Sequence, residues 1–566
     1  MSLYDKASLV LIPSGTKAGK VFSQKPTSGD GDFDFTRSSY ATRVNSQGLI
    51  EKERSNLLLQ SNNFDTTWTK ADNMLTPVGG QSGYDGSSDA WKIQRSDSSA
   101  RFIKQTISQS GVQTFSVYAK KGNVDHISLL TNGGSLTKGI FSLPTDGTGT
   151  NTFLDSDNIT SSITHIGSGW YRVSITLDES VTDVRIYPSE TGTTEGGSVS
   201  DAFIYIQDAQ LEQGLVATDV IETTTSAVYK GITDNVPRLD YDGDCPSLLL
   251  EPQRQNLVTQ SEYIGATEWV NASPTRNITI TETSNTNPEG RAICWKIQGL
   301  NTNNQLAYVD STTIGTTLTN SIYVKRISGT GDVRLRDVNN FHADFSLSVA
   351  DGWKRIDVTA TATSTVARFY VNLTTHNDEI LVWGAQQEEG SFATSLIPTY
   401  GTSVTRTIDS SNADLPFDPF NNGEGVLFIE FDVKDDVIEG FKEVIIITDP
   451  NDSTTKLWIY LFHSANNNEI RFGFRLDDNG VKISEGSGFI DTTTTNKIAI
   501  RLQSGNYCYY NNGVKSTPFG FGYNGVVLNL RNINVRGRKH FNDLHIKKII
   551  TFSTPLTDTE LADLTT

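Results

Sequence analysis

Aromatic and cationic side chains recur at alternate positions of several predicted strands. Sugars stack their C–H faces on aromatic rings and hydrogen-bond to charged and amide groups, so such residues on one exposed sheet surface have the chemistry of a glycan-binding site. If these strands share a sheet, their outward residues form a ladder. The candidate glycan-binding residues are Tyr118, Lys120, Trp170, Arg172, Arg185 and Tyr187 and, further along the chain, Tyr323, Lys325, Trp353, Arg355, Arg368 and Tyr370.

The same residues also suit a structural role. Arg–aromatic stacks can cover a sandwich or seal a trimer interface. Two related stretches of the chain retain the set, which suits folding as well as binding. Both interpretations stay open, and the structural one is favoured.

Patterns for catalysis or metal binding are weak. The seven histidines lack metal-ligand spacing on a predicted helix, and no nucleophile elbow, phosphate loop or dinucleotide fingerprint occurs in its required setting. A glycosidase acid pair stays open, but duplicated all-β modules are more typical of binders, so we predict no enzymatic activity. Glu212 and Glu388 are expected to anchor backbone amides of a turn. A structural calcium ion is the alternative, and no other cofactor is expected.

Length and charge limit the function classes. The 566 residues allow about three or four domains. Acidic residues outnumber basic ones by 65 to 47, and the net charge of −18 argues against nucleic-acid binding. No apolar run predicts membrane insertion, and the start of the chain does not read as a secretory signal. The scattered Cys245, Cys294 and Cys508 are expected to be reduced thiols of a chain folded in a cytoplasm.

The chain repeats itself. Matched blocks in the same order indicate a duplicated domain of about 150–170 residues, too long for a solenoid repeat, so each copy should have its own core. Trp91 and Trp295 alternate with isoleucines, which predicts that both tryptophans belong to the cores. The matched blocks are Arg54–Leu57 with Arg254–Leu257, Trp91–Gln94 with Trp295–Gln298, Ser116–Lys120 with Ser321–Lys325, Gly169–Val173 with Gly352–Ile356, and Ala209–Gly214 with Ala385–Gly390.

Period-two alternation between frequent polar turns predicts an all-β fold of tandem antiparallel β-sandwiches, two of them duplicated jelly rolls. Beyond residue 400 the chain again reads as strands, with hairpin turns at Asn479-Gly480 and Asn512-Gly513 and a capping box that begins at Thr557. The predicted units are an N-terminal attachment and oligomerisation segment (1–53), a jelly roll (54–222), an ordered linker (223–253), a second jelly roll (254–400) and a final sandwich (401–566).

One short apolar run stands out in residues 1–53. Leu9, Val10, Leu11 and Ile12 need burial, and the surrounding segment is too polar to form a separate core. We therefore expect another chain, a sister protomer or a virion surface, to bury them. Deletion of residues 1–53 is then expected to leave the later modules folded.

Several segments resemble a known family. Phe35–Arg37, Ala41–Asn45 and Gly48–Glu51 resemble the N-terminal portion of bacteriophage fibre and head-spike proteins. Residues 236–241 and 245–254 resemble further segments of the same family. The pattern over Ala385–Thr394 is similar to that of the family's carbohydrate-binding-module-like jelly rolls. Tyr510–Val514 and Leu556–Leu561 resemble pieces of laminin-G/concanavalin-like lectin domains.

The resemblance implies a bacteriophage virion protein. It implies a head fibre or spike that decorates the capsid and carries glycan-binding modules for host adhesion; a tail fibre or receptor-binding protein is the alternative, and a polysaccharide depolymerase spike a less favoured one. It further implies a homotrimer that contacts capsid or other virion proteins through its N-terminus and binds host-surface glycans. Such a protein is assembled in the host bacterial cytoplasm and lies on the external surface of the virion.

Overall fold

The computed structural model describes residues 2–133, 136–243, 245–271, 278–301, 304–421, 423–433, 442–464, 469–516, 528–536 and 544–566. Their regular structure is nearly all antiparallel β, which confirms the predicted fold class. The α-helices of these ranges are Leu3–Lys6 and Asp558–Thr565, and Val349–Asp351 forms a 3₁₀ turn. Within the described chain no helix has the length and apolarity that a bilayer span requires.

Jelly roll 1 consists of two six-stranded sheets around its own hydrophobic core. Its first sheet contains, in spatial order, Asn158–Gly167, Trp170–Asp178, Val112–Lys121, Phe203–Gln213, Ala90–Gln94 and Val78–Gln81. Its second sheet contains Asn151–Leu154, Leu136–Ser142, His126–Asn132, Val181–Ser189, Ile103–Gln109 and Thr69–Lys70.

Jelly roll 2 repeats this arrangement with two five-stranded sheets and a separate core. Trp295 lies in that core, and Trp91 packs against the core of jelly roll 1, as predicted. The first sheet contains Ile278–Thr283, Cys294–Gly299, Glu379–Glu389, Thr317–Ser328 and Lys354–Thr361. The second contains Val270–Asn271, Asn304–Ser311, Val366–Leu373, Val333–Arg336 and His342–Phe345.

The third unit, here called the terminal sandwich, is built from distant parts of the chain. Its nine-stranded sheet contains Thr16–Lys17, Lys20–Val21, Phe33–Thr36, Ser410–Asp414, Asn532–Arg536, Lys442–Asp449, Asp452–Ser464, Glu469–Asp478 and Val481–Phe489. Its eight-stranded sheet contains Arg238–Asp242, Cys245–Leu250, Leu544–Phe552, Gly425–Val433, Asn496–Leu502, Cys508–Asn511 and Val514–Ser516, with Ala7–Leu11 also paired to Leu544–Phe552.

The N-terminal apolar run is buried by its own chain, which corrects the expectation that another chain covers residues 9–12. Leu9 and Leu11 are fully buried in the core of the terminal sandwich, and Val10 is buried on the other face of the same sheet. Ile12 packs on that second face while partly exposed. The apolar pattern correctly indicated burial, but the partner lies more than 500 residues away in the same chain.

One hairpin precedes jelly roll 1 along the chain, and a second hairpin lies between jelly roll 1 and jelly roll 2. Strands Arg43–Val44 and Ile50–Glu51 form the first hairpin, and Ile50 packs against jelly roll 2. Strands Arg238–Asp242 and Cys245–Leu250 form the second, which joins the eight-stranded sheet of the terminal sandwich. The residues assigned to an attachment segment and to a linker therefore pack as parts of neighbouring units.

Short-range predictions hold in detail. Asn479-Gly480 and Asn512-Gly513 have positive φ angles and join paired strands. Thr557 caps the last helix by accepting a hydrogen bond from the Glu560 amide. The three cysteines are free thiols.

A pair of short strands joins the beginning of each jelly roll to the segment that follows its last sheet strand. In jelly roll 1, Arg54–Asn56 pairs with Val228–Lys230. In jelly roll 2, Arg254–Asn256 pairs with Val404–Arg406.

Candidate functional site

The predicted ladder in jelly roll 1 spans two strands and not three. Tyr118 lies opposite Arg172, and Lys120 opposite Trp170, on paired strands of the first sheet. The Arg172 guanidinium lies 5.4 Å from the centre of the Tyr118 ring. The strand that carries Arg185 and Tyr187 belongs to the second sheet.

Arg185 and Tyr187 have a local partner on the second sheet. Both contact Phe102: the Arg185 guanidinium lies 4.8 Å from the ring centre, and the Tyr187 ring is 5.0 Å away. Arg185 Nε also donates to Asp183 Oδ1 at 2.5 Å. These contacts fix the two side chains in a packed cluster away from the ladder.

The ladder of jelly roll 1 is covered by its own chain. Trp170 is 1% exposed and Tyr118 9% exposed. The Tyr84 ring stacks on Tyr118 with 3.8 Å between ring centres, and the Tyr84 hydroxyl donates to Asp208 Oδ2 at 2.9 Å. Burial raises the pKa of Asp208 to about 6. A sugar would first have to displace Tyr84 to reach this face.

Jelly roll 2 has the same pairing. Tyr323 lies opposite Arg355, whose guanidinium is 5.4 Å from the ring centre. Arg355 Nη2 donates to Ser321 Oγ at 2.9 Å, and Lys325, on the Tyr323 strand, is half-buried. Arg368 and Tyr370 lie on the second sheet, so they do not extend this ladder either.

The cover of this second face comes from the N-terminal part of the chain. Ile50 packs beside Trp383, with Tyr323 and Trp353 at the edge of the same cluster. Trp353 precedes its predicted strand, and its indole Nε1 donates to the Thr286 carbonyl at 2.9 Å. Tyr323 and Trp353 thus contribute to packing between units.

In the closing block of each copy, one glutamate carboxylate accepts two hydrogen bonds from one threonine with the same distances. The pairs Glu212–Thr218 and Glu388–Thr394 are called the locks here. Glu212 accepts hydrogen bonds from the Thr218 amide (2.8 Å) and hydroxyl (2.6 Å). Glu388 accepts from the Thr394 amide (2.8 Å) and hydroxyl (2.6 Å). The prediction that these glutamates anchor backbone amides is confirmed, and burial raises the pKa of Glu212.

A partly exposed face with several aromatic residues lies on the nine-stranded sheet of the terminal sandwich. Strand Asp452–Ser464 buries Leu457, Ile459 and Leu461 in the core. The residues between them point to the other face and remain partly exposed. They form the aromatic stripe, defined here as Trp458, Tyr460 and Phe462.

The stripe is a continuous set of rings. The ring centres of Trp458 and Tyr460 are 4.8 Å apart, and those of Tyr460 and Phe462 are 5.9 Å apart. Tyr460 lies over Gly473 of the next strand, where an added Cβ would come within 2.4 Å of its ring. Glycine at this position therefore lets the tyrosine lie flat against the sheet.

Polar groups flank the stripe on the neighbouring strand and on its own. Arg475 lies opposite Trp458 and Arg471 opposite Phe462. Arg475 Nε donates to Asp477 Oδ1 at 2.6 Å, which sets the direction of its side chain. Lys456 Nζ lies 5.1 Å from the centre of the Trp458 ring. Aromatic rings and cations are therefore adjacent on one partly exposed surface, and the buried Asp477 carboxylate orients Arg475.

The tyrosine and tryptophan polar atoms remain suited to hydrogen bonding. Burial, with a contribution from the Glu485 charge, raises the pKa of Tyr460, so its hydroxyl stays a donor at neutral pH. Trp458 Nε1 is shielded from solvent and has no hydrogen-bond acceptor among the described residues.

The sequence carried a signal for this stripe that the ladder analysis missed. Trp458, Tyr460 and Phe462 alternate with aliphatic residues as regularly as Tyr118 does with its neighbours. The ladder residues recur in both duplicated blocks, whereas the stripe occurs once in the chain.

No family model matches the chain, and no curated protein sequence matches it. Among solved structures, the chain is similar to a carbohydrate-binding module, CBM40, of the Ruminococcus gnavus IT-sialidase bound to α2,3-sialyllactose, at 14% identity, 25% of this chain, 83% of that one and a TM-score of 0.21. It is similar to domain 4 of a Geobacillus stearothermophilus arabinanase in complex with arabinotriose. The identity is 12%, the match covers 31% of this chain and 84% of that one, and the TM-score is 0.21. It is also similar to tandem CBM51 modules of a Streptococcus pneumoniae family 98 glycoside hydrolase. The identity is 8%, the match covers 69% of this chain and 99% of that one, and the TM-score is 0.17.

Proposed function

We propose that the protein is a non-catalytic glycan-binding protein and that the aromatic stripe of the terminal sandwich is its binding face. The observation that carries this proposal is the partly exposed run of Trp458, Tyr460 and Phe462 beside Arg471 and Arg475. The jelly-roll ladders have similar residue types, but their aromatic residues are covered by Tyr84 or packed around Ile50.

Binding follows from the two kinds of surface that a sugar ring presents. Its C–H face releases water when it stacks on Trp458 or Tyr460, and its hydroxyl groups at the ring edge pair with the flanking charged side chains. Because the three rings follow one strand, an extended glycan chain fits better than a single sugar. Successive sugar units would lie along the strand direction.

We place this binding activity on the external surface of a bacteriophage virion, in a head fibre or spike that adheres to host glycans, with a tail fibre as the alternative. The support is the sequence resemblance of Phe35–Arg37 and Gly48–Glu51. In the structure these segments pack within and between units, so attachment would use an outer surface of the folded protein. Mass spectrometry of purified particles should detect the chain; its absence would refute the virion assignment.

A homotrimer remains part of this proposal. Light scattering of the purified protein should then give three times the 62.1 kDa of one chain. A monomeric mass would rule the trimer out and leave glycan binding unaffected.

A glycan array tests the binding face directly. The full-length protein should bind polysaccharides from bacterial surfaces, and Tyr460→Ala should reduce that binding by about tenfold or more, the usual loss for a central aromatic contact. Phe341→Ala is the matched control, because Phe341 is an aromatic residue that is 73% exposed on jelly roll 2. Equal binding by wild type and Tyr460→Ala, or no binding to any glycan, would contradict the proposal.

A further inference from the structure

A cleft of about 370 Å³ lies where the two jelly rolls meet, far along the chain from the aromatic stripe. Its size falls within the roughly 300–1,000 Å³ range of small-molecule sites. The junction is tight: the Val112 amide of jelly roll 1 donates to the carbonyl of Tyr400, the last residue of jelly roll 2, at 3.1 Å. At Gly111 a Cβ would lie 1.6 Å from that same carbonyl oxygen, so only glycine allows this approach.

Two tyrosines line the cleft. Tyr400 is held in place because its hydroxyl contacts Glu262 Oε1 at 3.4 Å and Lys52 Nζ lies 5.5 Å from its ring centre. Tyr40 comes from the N-terminal segment, and burial raises its pKa to about 12, so its hydroxyl is a neutral hydrogen-bond donor. The cleft therefore combines ring surfaces with hydroxyl groups.

The remaining lining is acidic and amide-rich. Asp178, Glu179 and Glu268 contribute carboxylates, and none of the described lining residues is Lys or Arg. Partial burial and the charge of Glu268 raise the pKa of Asp178. The described lining of the cleft therefore contains several carboxylates and no cationic side chain.

A buried side-chain amide in the wall has an oxygen atom to which no described residue donates a hydrogen bond. Gln260 is 1% exposed, and its Nε2 donates to Asp178 Oδ2 at 2.7 Å. Its Oε1 atom has no hydrogen-bond donor among the described residues. An unpaired buried carbonyl is unfavourable, so a ligand that donates to it would be favoured.

We propose that this cleft is a second binding site, for an amino sugar that carries a free ammonium group. The ammonium group pairs with Asp178 and Glu268, the ring stacks on tyrosine, and hydroxyl groups bond to Gln260 and its neighbours. A metal ion fits less well, because no group of three His, Cys, Asp or Glu side chains in the described ranges is placed to hold one. The site is independent of the aromatic stripe and extends the proposed function to a cationic ligand.

Calorimetric titration of the full-length protein tests the charge requirement. The probes are a β-1,4-linked glucosamine tetramer, at a pH where its amines are protonated, and the fully N-acetylated tetramer. We expect the glucosamine tetramer to bind at least about tenfold more tightly, since acetylation removes the cation. Equal affinities, or no binding of the glucosamine tetramer, would overturn the proposal.

Variants locate the site. Asp178→Asn with Glu268→Gln should weaken glucosamine binding by about tenfold or more, and Glu268→Gln alone, at an exposed position, by about threefold. Asp157→Asn removes an exposed charge elsewhere on jelly roll 1 and should change nothing. Unchanged binding by the double variant would overturn the assignment. Trp458→Ala should retain glucosamine binding, so failure of this site and failure of the stripe give different results.

Discussion

The outward face of each jelly roll and the outward face of the terminal sandwich carry similar residues in different surroundings. Tyr118 with Arg172 and Tyr323 with Arg355 stack at the same 5.4 Å separation, yet Tyr118 is buried and Tyr323 packs against the cluster that contains Ile50. The aromatic stripe that begins at Trp458 stays partly exposed. Residue chemistry on alternate positions therefore identifies an outward face, and the rest of the chain decides whether that face is covered.

The two jelly rolls are covered by different means. In jelly roll 1 the cover is local, because Tyr84 stacks on Tyr118 and bonds to Asp208. In jelly roll 2 it is distant, because Ile50 comes from the first hairpin. Asp208 adopts a φ of 52°, and its counterpart before the matched Ala-Gln block is Gly384, with a φ of 64°. Asp208, whose positive φ is strained for a residue with a side chain, therefore belongs to the local cover of jelly roll 1. Jelly roll 2 has glycine at the corresponding position.

The largest effect is expected from removing residues 2–36. This deletion takes Leu9, Leu11, Phe33 and Phe35 out of the core of the terminal sandwich. Each large buried side chain contributes about 1.5–3 kcal/mol, so the sandwich should fail to fold and the stripe should lose its support. Circular dichroism and limited proteolysis would show it. A folded, protease-resistant terminal sandwich would contradict the structure.

The lock should respond equally in both copies. Glu212→Ala and Glu388→Ala each leave a buried threonine amide and hydroxyl without an acceptor, at a cost of about 3 kcal/mol in the free energy of unfolding. Denaturant unfolding measures the loss, with the exposed Asp157→Asn as control. A large loss in one copy and none in the other would show that the two locks are not equivalent.

The pH dependence of stability should report on the cover of jelly roll 1, which contains Asp208. Because the folded-state pKa of Asp208 is raised from 3.8 to about 6, the folded protein holds a proton that the unfolded chain releases, and stability should fall as pH rises from about 4 to 6. Across this pH range the free energy of unfolding should fall by about 3 kcal/mol. Asp208→Asn should flatten this part of the stability profile. An unchanged profile in that variant would contradict the assignment.

A smaller effect is expected from uncovering jelly roll 1. Tyr84→Ala removes one stacked ring pair, worth about 1 kcal/mol, and should increase acrylamide quenching of the total tryptophan fluorescence, to which Trp170 contributes as one of eight tryptophans. Tyr229→Ala, at a tyrosine that is 52% exposed, is the control. If quenching does not change, Tyr84 is not what shields this face.

Much of the fold follows from local pattern. Alternation, the Asn-Gly turns and the capping box at Thr557 predicted strands, hairpins and the last helix, because each depends on neighbouring residues. The duplication predicted two separate cores, and the structure contains both.

The partners of the outward faces did not follow from the sequence. Leu11 signals burial without stating which strand buries it, and that strand, Leu544–Phe552, is at the opposite end of the chain. Likewise nothing local to Tyr323 indicates that Ile50 packs beside it. Contacts between residues distant in sequence leave no periodic pattern, so the choice between covered and exposed faces required the structure.

Titration of a glycan identified on the array against two tryptophan variants tests the central claim most directly. Trp458 lies in the aromatic stripe, whereas Trp353 lies at the packed junction of jelly roll 2. We predict that Trp458→Ala weakens binding by about tenfold or more and that Trp353→Ala leaves the affinity unchanged. The reverse result, lost binding in Trp353→Ala and full binding in Trp458→Ala, would contradict the assignment of the binding face.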